Sequence, residues 1–238
     1  VRWVTTGYLR KPDRTFEYYL DLPHFLAEWD VWDYWEKERI HSMQQHLTTS
    51  DVLVDVGAEA GWMSLVFAEM VGPSNLILVE PTAEYWPNIK QSWERRFNVM
   101  PLATYCGLLG PEDKHGPYVY NGGWPAAGEG ALSPARAYEY LHNEKEDVAV
   151  LTLDSMFAFD ITPTALTMDV EGAELEVLKG AETMLENDHP KLWISVHPDL
   201  MARDYNTTPA ELNTFLARFG YKGKHLATDH EEHWIFTA

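Results

Sequence analysis

Two short apolar runs separated by one helix-length segment constrain the fold more than any other feature of this chain. Val52-Leu53-Val54-Asp55-Val56-Gly57 and Asn75-Leu76-Ile77-Leu78-Val79-Glu80 are nearly continuous in apolar residues, the pattern of parallel strands covered on both faces. Between them, Trp62 to Val71 has the length of a helix and stops at Gly72-Pro73. Strand, helix and strand in this order make a right-handed βαβ unit.

The alternation continues. The sequence predicts a helix over 86–96 and a strand over 99–105. The segment 107–147, with Gly122-Gly123-Trp124-Pro125 and Gly128-Glu129-Gly130, reads as an insertion or lid carrying a short strand at 118–120. Order resumes with a strand over 165–170, a helix over 173–186, a strand over 192–196 and a helix over 209–219. That last helix is started by Thr207-Thr208 and stopped by Gly220. Two further strands, 224–227 and 233–236, flank a polar turn. Residues 1–49 form an aromatic segment in which Phe25, Trp29, Trp32, Trp35 and Ile40 follow helical spacing, the expected stripe of a helical cap over a core edge. The expected class is α/β, a doubly wound and mostly parallel sheet in one domain over 50–238.

Length and charge narrow the function. A chain of 238 residues supplies one substantial core. A net charge of −19 with only 18 basic residues repels polyanions over most of the surface, which argues against nucleic-acid partners. No apolar run reaches the ~18 to 20 residues needed to cross a bilayer, and no secretory leader is seen, so a soluble cytoplasmic protein is expected. The first residue is Val1 rather than Met, which leaves open whether a longer polypeptide surrounds the sequence. Cys106 is the one cysteine, which rules out an internal disulfide or a cysteine zinc cluster within the chain. Its thiol is expected to be packed, at the end of the third strand beside the candidate cofactor residues.

Asp55-Val56-Gly57-Ala58-Glu59-Ala60-Gly61 lies where a buried strand turns into a helix, and glycines there permit a tight turn and close approach of a ligand. A dinucleotide fingerprint would need G-x-G-x-x-G, which Glu59 and Ala60 break. Glu80 ends the next strand, 25 residues after Asp55, where an acid can accept hydrogen bonds from ribose hydroxyls. Together they indicate a nucleoside cofactor. Asp169 and Glu171 stand at another carboxyl strand end, on one face by the two-residue period, and two acids there require hydrogen bonds, partners or a metal. Glu174 and Glu176 read as plain acids of a helix N-terminus. His197 in Ser195-Val196-His197-Pro198-Asp199 ends a third strand.

The D-x-G-x-x-x-G turn resembles motif I of class I methyltransferases. Met168-Asp169-Val170-Glu171-Gly172-Ala173-Glu174-Leu175-Glu176-Val177-Leu178-Lys179-Gly180-Ala181 closely resembles the D-V-E-G-A-E-x-x-V-L-x-G-A signature of the FkbM methyltransferases. The resemblance extends to 54–58, Glu80-Pro81 and 151–154, and covers about 50–196. It implies a class I methyltransferase sheet with an antiparallel last strand, S-adenosylmethionine as cofactor, and O-methylation of a hydroxyl on a sugar, glycan or natural product. On it, Asp55, Gly57, Ala58, Glu59, Gly61, Trp62, Glu80, Pro81 and Cys106 are expected to bind the cofactor. Asp169 is expected to face the substrate or a divalent ion and Glu171 to serve as base. Relatives carry an acid near 197, so His197 could replace it as base or ligand. The last strand would bring His230 and Glu231 of Asp229-His230-Glu231-Glu232-His233 to the same edge. Asp169, His197 and His230 are then the candidate ligands for Mg²⁺ or Mn²⁺. The competing readings are an NAD-dependent oxidoreductase of Rossmann type, which lacks its glycine turn here, and a non-catalytic cofactor-binding module. A DNA amine methyltransferase would need an Asn/Asp-Pro-Pro-aromatic segment that is absent from the sequence.

Overall fold

A computed structural model describes residues 36–114, 119–125, 149–157 and 161–238. Phe25, Trp29, Trp32, Trp35 and Gly128-Glu129-Gly130 lie outside them. The strands are β1 (Leu53–Val56), β2 (Leu76–Val79), β3 (Ala103–Tyr105), β4 (Leu108–Leu109), β5 (Val119–Asn121), β6 (Val150–Leu151), β7 (Ala165–Met168), β8 (Lys191–Val196), β9 (Lys222–Thr228) and β10 (Glu232–Thr237). The main sheet has the order β5-β3-β2-β1-β7-β8-β10-β9. From β3 to β8 neighbours are parallel, whereas β10 runs antiparallel to both β8 and β9, and β5 antiparallel to β3. This is a doubly wound α/β sheet with an antiparallel last strand, as the sequence predicts. A small parallel pair, β4 with β6, stands apart.

The apolar runs are continuous because each strand serves two cores. On β2, Leu76 and Leu78 join one cluster and Ile77 and Val79 the other; on β1, Leu53 separates from Val54 and Val56 in the same way. The helices α1 (Lys37–His46), α2 (Trp62–Val71) and α3 (Trp86–Arg96) cover one face through Ile40, Met43, Phe67 and Trp93. The short helix α4 (Leu153–Met156), then α5 (Glu174–Lys179), α6 (Glu182–Asn187) and α8 (Pro209–Ala217) cover the other, and α7 (Pro198–Asp204) follows β8. Among the described residues no helix is long and apolar enough to cross a membrane.

One long helix departs from the sequence reading. The helix expected over 173–186 is two helices, α5 and α6, broken at Gly180-Ala181. The Gly180 carbonyl accepts the Asp154 N–H at 2.9 Å. The Asp154 carboxylate in turn accepts the N–H groups of Thr183 and Met184, each at 2.9 Å, and so caps α6 from α4. A Cβ at position 180 would lie 2.1 Å from the Gly110 carbonyl oxygen, so the backbones meet where only glycine fits. The strand expected over 99–105 is shorter, Ala103–Tyr105, and the 118–120 strand appears as β5.

Candidate active site

The strand order reverses between β1 and β7, and ligands of open α/β sheets bind outside the carboxyl ends of the strands at such a point. A cavity of about 330 Å³ opens there. Its floor is held by backbone bonds across the strand ends: Asp169 N–H to the Val56 carbonyl, and Gly57 and Ala58 N–H to the Val79 carbonyl, at 2.9 to 3.0 Å. Gly57 has φ 88°, and a Cβ on it would come within 1.9 Å of the Asp169 carbonyl oxygen. Gly57 is therefore needed first for strand-end packing, and the room it leaves for a ligand is secondary.

Of the expected cofactor residues, Asp55, Gly57, Ala58, Glu59, Trp62, Glu80 and Pro81 line the cavity. Gly61 does not; it begins α2, close against Ile89. Cys106 is buried in the core beneath, and its neighbour Gly107 takes the lining position. Asp55 accepts the Ser64 hydroxyl at 2.5 Å, and burial pushes its carboxyl up to about 6. Glu80 accepts the N–H groups of Thr82 at 2.7 Å and Glu59 at 2.8 Å. Burial pushes it up to about 7, against the opposing pull of those bonds. Glu59 and Glu171, on the turns that rim the cavity, both hold left-handed backbone, φ 47° and 53°. Such conformations in residues other than glycine collect at functional sites.

Asp169 and Glu171 face the cavity together. The Glu171 side chain is 76% exposed, and its carboxylate makes no cap to α5; instead Glu174 accepts the Gly172 N–H at 3.1 Å. Glu174, expected to be a plain helix acid, is wholly buried and also holds His197 Nδ1 at 2.8 Å. Only Glu176 behaves as such an acid, pairing with Lys179 at 2.7 Å. His197 Nε2 lies 2.6 Å from Glu231, 3.6 Å from Asp169 and 3.8 Å from Glu171. Burial opposes charge on this ring, but the carboxylates Glu174 and Glu231 outweigh it and push His197 up to about 11. Both ring nitrogens are thus engaged, Nδ1 by Glu174 and Nε2 by Glu231. Asp169 is pushed well up by burial and by the nearby Glu231 charge, in spite of Arg39 and His197.

The strand-end residues converge with two that the sequence did not single out. Arg39 on α1 is buried, donating to Glu36 at 3.0 Å, Ser195 Oγ at 2.7 Å and Thr167 Oγ1 at 2.8 Å, and standing 3.9 Å from Asp169. Glu36, also buried, has φ 59° and donates its N–H to Asp229 at 2.9 Å. No motif marks either residue, because an Arg on an amphipathic helix reads as a surface residue until its distant partners are known. His230 is 43% exposed and bonds to Asp229 at 2.7 Å. It groups with Asp229 and His233, while Asp169 and His197 group with Glu171. The three candidate metal ligands Asp169, His197 and His230 do not form one set.

The fold is similar to that of Methyltransferase FkbM from Methylobacillus flagellatus KT, with a TM-score of 0.56 and 18% identity over 81% of this chain and 44% of that one. The chain thus spans less than half the length of that structure. Weaker likenesses include a precorrin-6y C5,15-methyltransferase from Geobacter metallireducens GS-15, with TM-score 0.46, 11% identity, and coverage of 85% of this chain and 87% of that one. A SAM-dependent methyltransferase from Aquifex aeolicus gives a TM-score of 0.44 and 14% identity over 89% and 97% of the two chains. No curated protein sequence matches. The pattern described as the Methyltransferase FkbM domain matches residues 55–222. That is well over half of the 238 residues, and the chain belongs to the FkbM methyltransferase family.

Proposed function

We propose that the protein transfers a methyl group from S-adenosylmethionine to a hydroxyl oxygen of a sugar, glycan or other hydroxylated natural product. The observation that carries this reading is the acidic lining of the cavity. Glu36, Asp55, Glu59, Glu80, Asp169 and Glu171 line it, with Arg39 as the one Arg, Lys or His among the described lining residues. Such walls attract a sulfonium cation and accept hydrogen bonds from hydroxyl groups. They repel the pyrophosphate of a nicotinamide dinucleotide, which weighs against the oxidoreductase alternative.

On this reading Glu80 accepts from the ribose hydroxyls, since its oxygens take the N–H groups of Thr82 and Glu59 and the Thr82 hydroxyl and still keep a lone pair. The bound cofactor supplies an electrophilic methyl on a positively charged sulfur. As the acceptor oxygen forms its bond to carbon and the carbon–sulfur bond breaks, the hydroxyl proton passes to Glu171, the exposed carboxylate at the rim. His197 is the orienting partner rather than the base, because both its nitrogens are already engaged by Glu174 and Glu231. The same bonds leave His197 without a lone pair for Mg²⁺ or Mn²⁺, and His230 belongs to another group. The set Asp169, His197 and His230 does not fit a metal.

The test is Glu171→Gln assayed against a panel of sugars. It is expected to bind S-adenosylhomocysteine like the wild type and to lose about 10²-fold in kcat. Intact turnover would remove Glu171 as base. Stabilisation by NADH and not by S-adenosylhomocysteine would overturn the cofactor assignment, and binding without transfer to any acceptor would favour the non-catalytic module.

A further inference from the structure

Behind the reaction site lies a second group of ligating side chains, reached from opposite ends of the sequence. Glu36 at the start of α1, and Glu231 and His233 around the start of β10, each offer a ligand atom within 4.8 Å of the other two. Their side chains are 3%, 2% and 1% exposed, which separates them from ordinary surface acids. We propose that these three residues bind one first-row divalent cation, which fastens α1 to the terminal hairpin.

Three observations support the site. Glu231 divides its work: Oε2 holds His197 at 2.6 Å, while the buried Oε1 has no hydrogen-bond partner. A buried carboxylate oxygen without a partner is costly and rarely tolerated. That oxygen lies 3.7 Å from His233 Nδ1. Two ligands of a tetrahedral ion, each at about 2.1 Å, stand about 3.4 Å apart, so a shift of a few tenths of an ångström suffices. The imidazole is also prepared. His233 Nε2 is 3.0 Å from Asp229 Oδ1, an arrangement that puts the proton on Nε2 and the lone pair on Nδ1. This is the carboxylate–histidine pairing that orients ligating histidines. Ser195 Oγ, 3.3 Å from Nδ1, makes only a long contact there.

Charge balance favours a cation. Glu36, Asp169 and Glu231 share two basic groups, Arg39 at 3.0 Å from Glu36 and 3.9 Å from Asp169, and His197 at 2.6 Å from Glu231. The Arg39 guanidinium reaches both Glu36 oxygens through one nitrogen, at 3.0 and 3.1 Å, and each oxygen keeps a lone pair. One imidazole with two carboxylates suits Mn²⁺ or Zn²⁺ better than Mg²⁺ or Ca²⁺, which prefer oxygen alone. An ion here would brace Glu231, and through it His197, without touching the acceptor.

The test needs neither cofactor nor acceptor, so its failure is distinct from failure of the methyl-transfer reading. Chelator-stripped protein is titrated with Mn²⁺, and with Zn²⁺ in parallel, while bound metal, melting temperature and the pulsed EPR of Mn²⁺ are followed. One equivalent is expected to bind, with ¹⁴N coupling and a rise of several degrees in melting temperature at about 100 times Kd. Glu36→Gln and His233→Gln should abolish the shift, whereas His230→Ala and Glu171→Gln should keep it. If His233→Gln does not fold, Glu36→Gln and the nitrogen coupling decide. Absence of stoichiometric binding would overturn the proposal and leave Glu36 and Glu231 sharing a proton. So would a spectrum without nitrogen, a shift that survives Glu36→Gln, or one lost in His230→Ala or Glu171→Gln.

Discussion

Gly57 and Glu80 both line the cavity, yet they are fixed by different forces, and substitutions should separate them. At Gly57 an added Cβ meets the Asp169 carbonyl oxygen at 1.9 Å on backbone with φ 88°. Gly57→Ala is therefore expected to part the ends of β1 and β7 and to cost about 2 kcal/mol or more in chemical denaturation. A variant of wild-type stability would show that the strand ends yield easily. Glu80→Ala should instead strike binding. It removes the proposed ribose acceptor and strips the Thr82 and Glu59 N–H groups of their partner. The expected result is an affinity for S-adenosylhomocysteine at least ~10-fold weaker by calorimetry, with a stability loss of ~1 to 3 kcal/mol from the unpaired donors. Unchanged affinity would sink the cofactor assignment of this residue.

At the scale of elements, the sheet was legible and one helix boundary was not, for a single reason. Strands such as β1 and β2 announce themselves locally, because burial on two faces makes nearly every position apolar. The start of α8 is local too: Thr208 accepts the Glu211 N–H at 3.2 Å and donates to the Glu211 carboxylate at 2.9 Å. The break between α5 and α6 is made by Asp154, about thirty residues away, and no pattern within 173–186 reveals it. Asp154→Ala should cost about 1 kcal/mol, as loss of a capping carboxylate usually does. A neutral effect would mean that α6 is held by the packing of Met184 and Leu185 alone. The candidate site divides in the same way. Asp55, Glu80, Asp169, Glu171 and His197 could be found because each lies at or just past the carboxyl end of a strand. Arg39 could not, since it binds Thr167 and Ser195 across more than a hundred residues. Glu174 was misread because its partner His197 lies on the next strand.

For the whole molecule, the buried acids of the cavity make stability depend on pH in a direction that the net charge of −19 alone would not localise. Asp55 and Glu80 are raised by burial, from ordinary values of 3.8 and 4.5 to about 6 and about 7. A carboxyl whose folded value is raised binds its proton more tightly in the folded state. Its contribution is full below the unfolded value and is lost as pH rises through the folded one. Both groups therefore weaken the fold between about pH 4 and 7, each on the order of 3 kcal/mol. Asp51 works in the other direction. Hydrogen bonds from Thr164, Thr48 and Lys191 outweigh its burial and lower it below 3.8, so its support disappears as pH falls under that value. The melting temperature should thus peak near pH 4 to 5 and decline toward pH 8, with His233, lowered to about 4 by burial, offsetting part of the decline below about pH 6.5. In Asp55→Asn the decline between about pH 4 and 6 should flatten while the part belonging to Glu80, up to about 7, persists. S-adenosylhomocysteine should recover more stability at pH 8 than at pH 5, because ionised Glu80 is the better acceptor for ribose hydroxyls. A wild-type profile that rises from pH 5 to 8, or one that Asp55→Asn leaves unchanged, would mean that the cavity acids are solvated well enough to ionise freely.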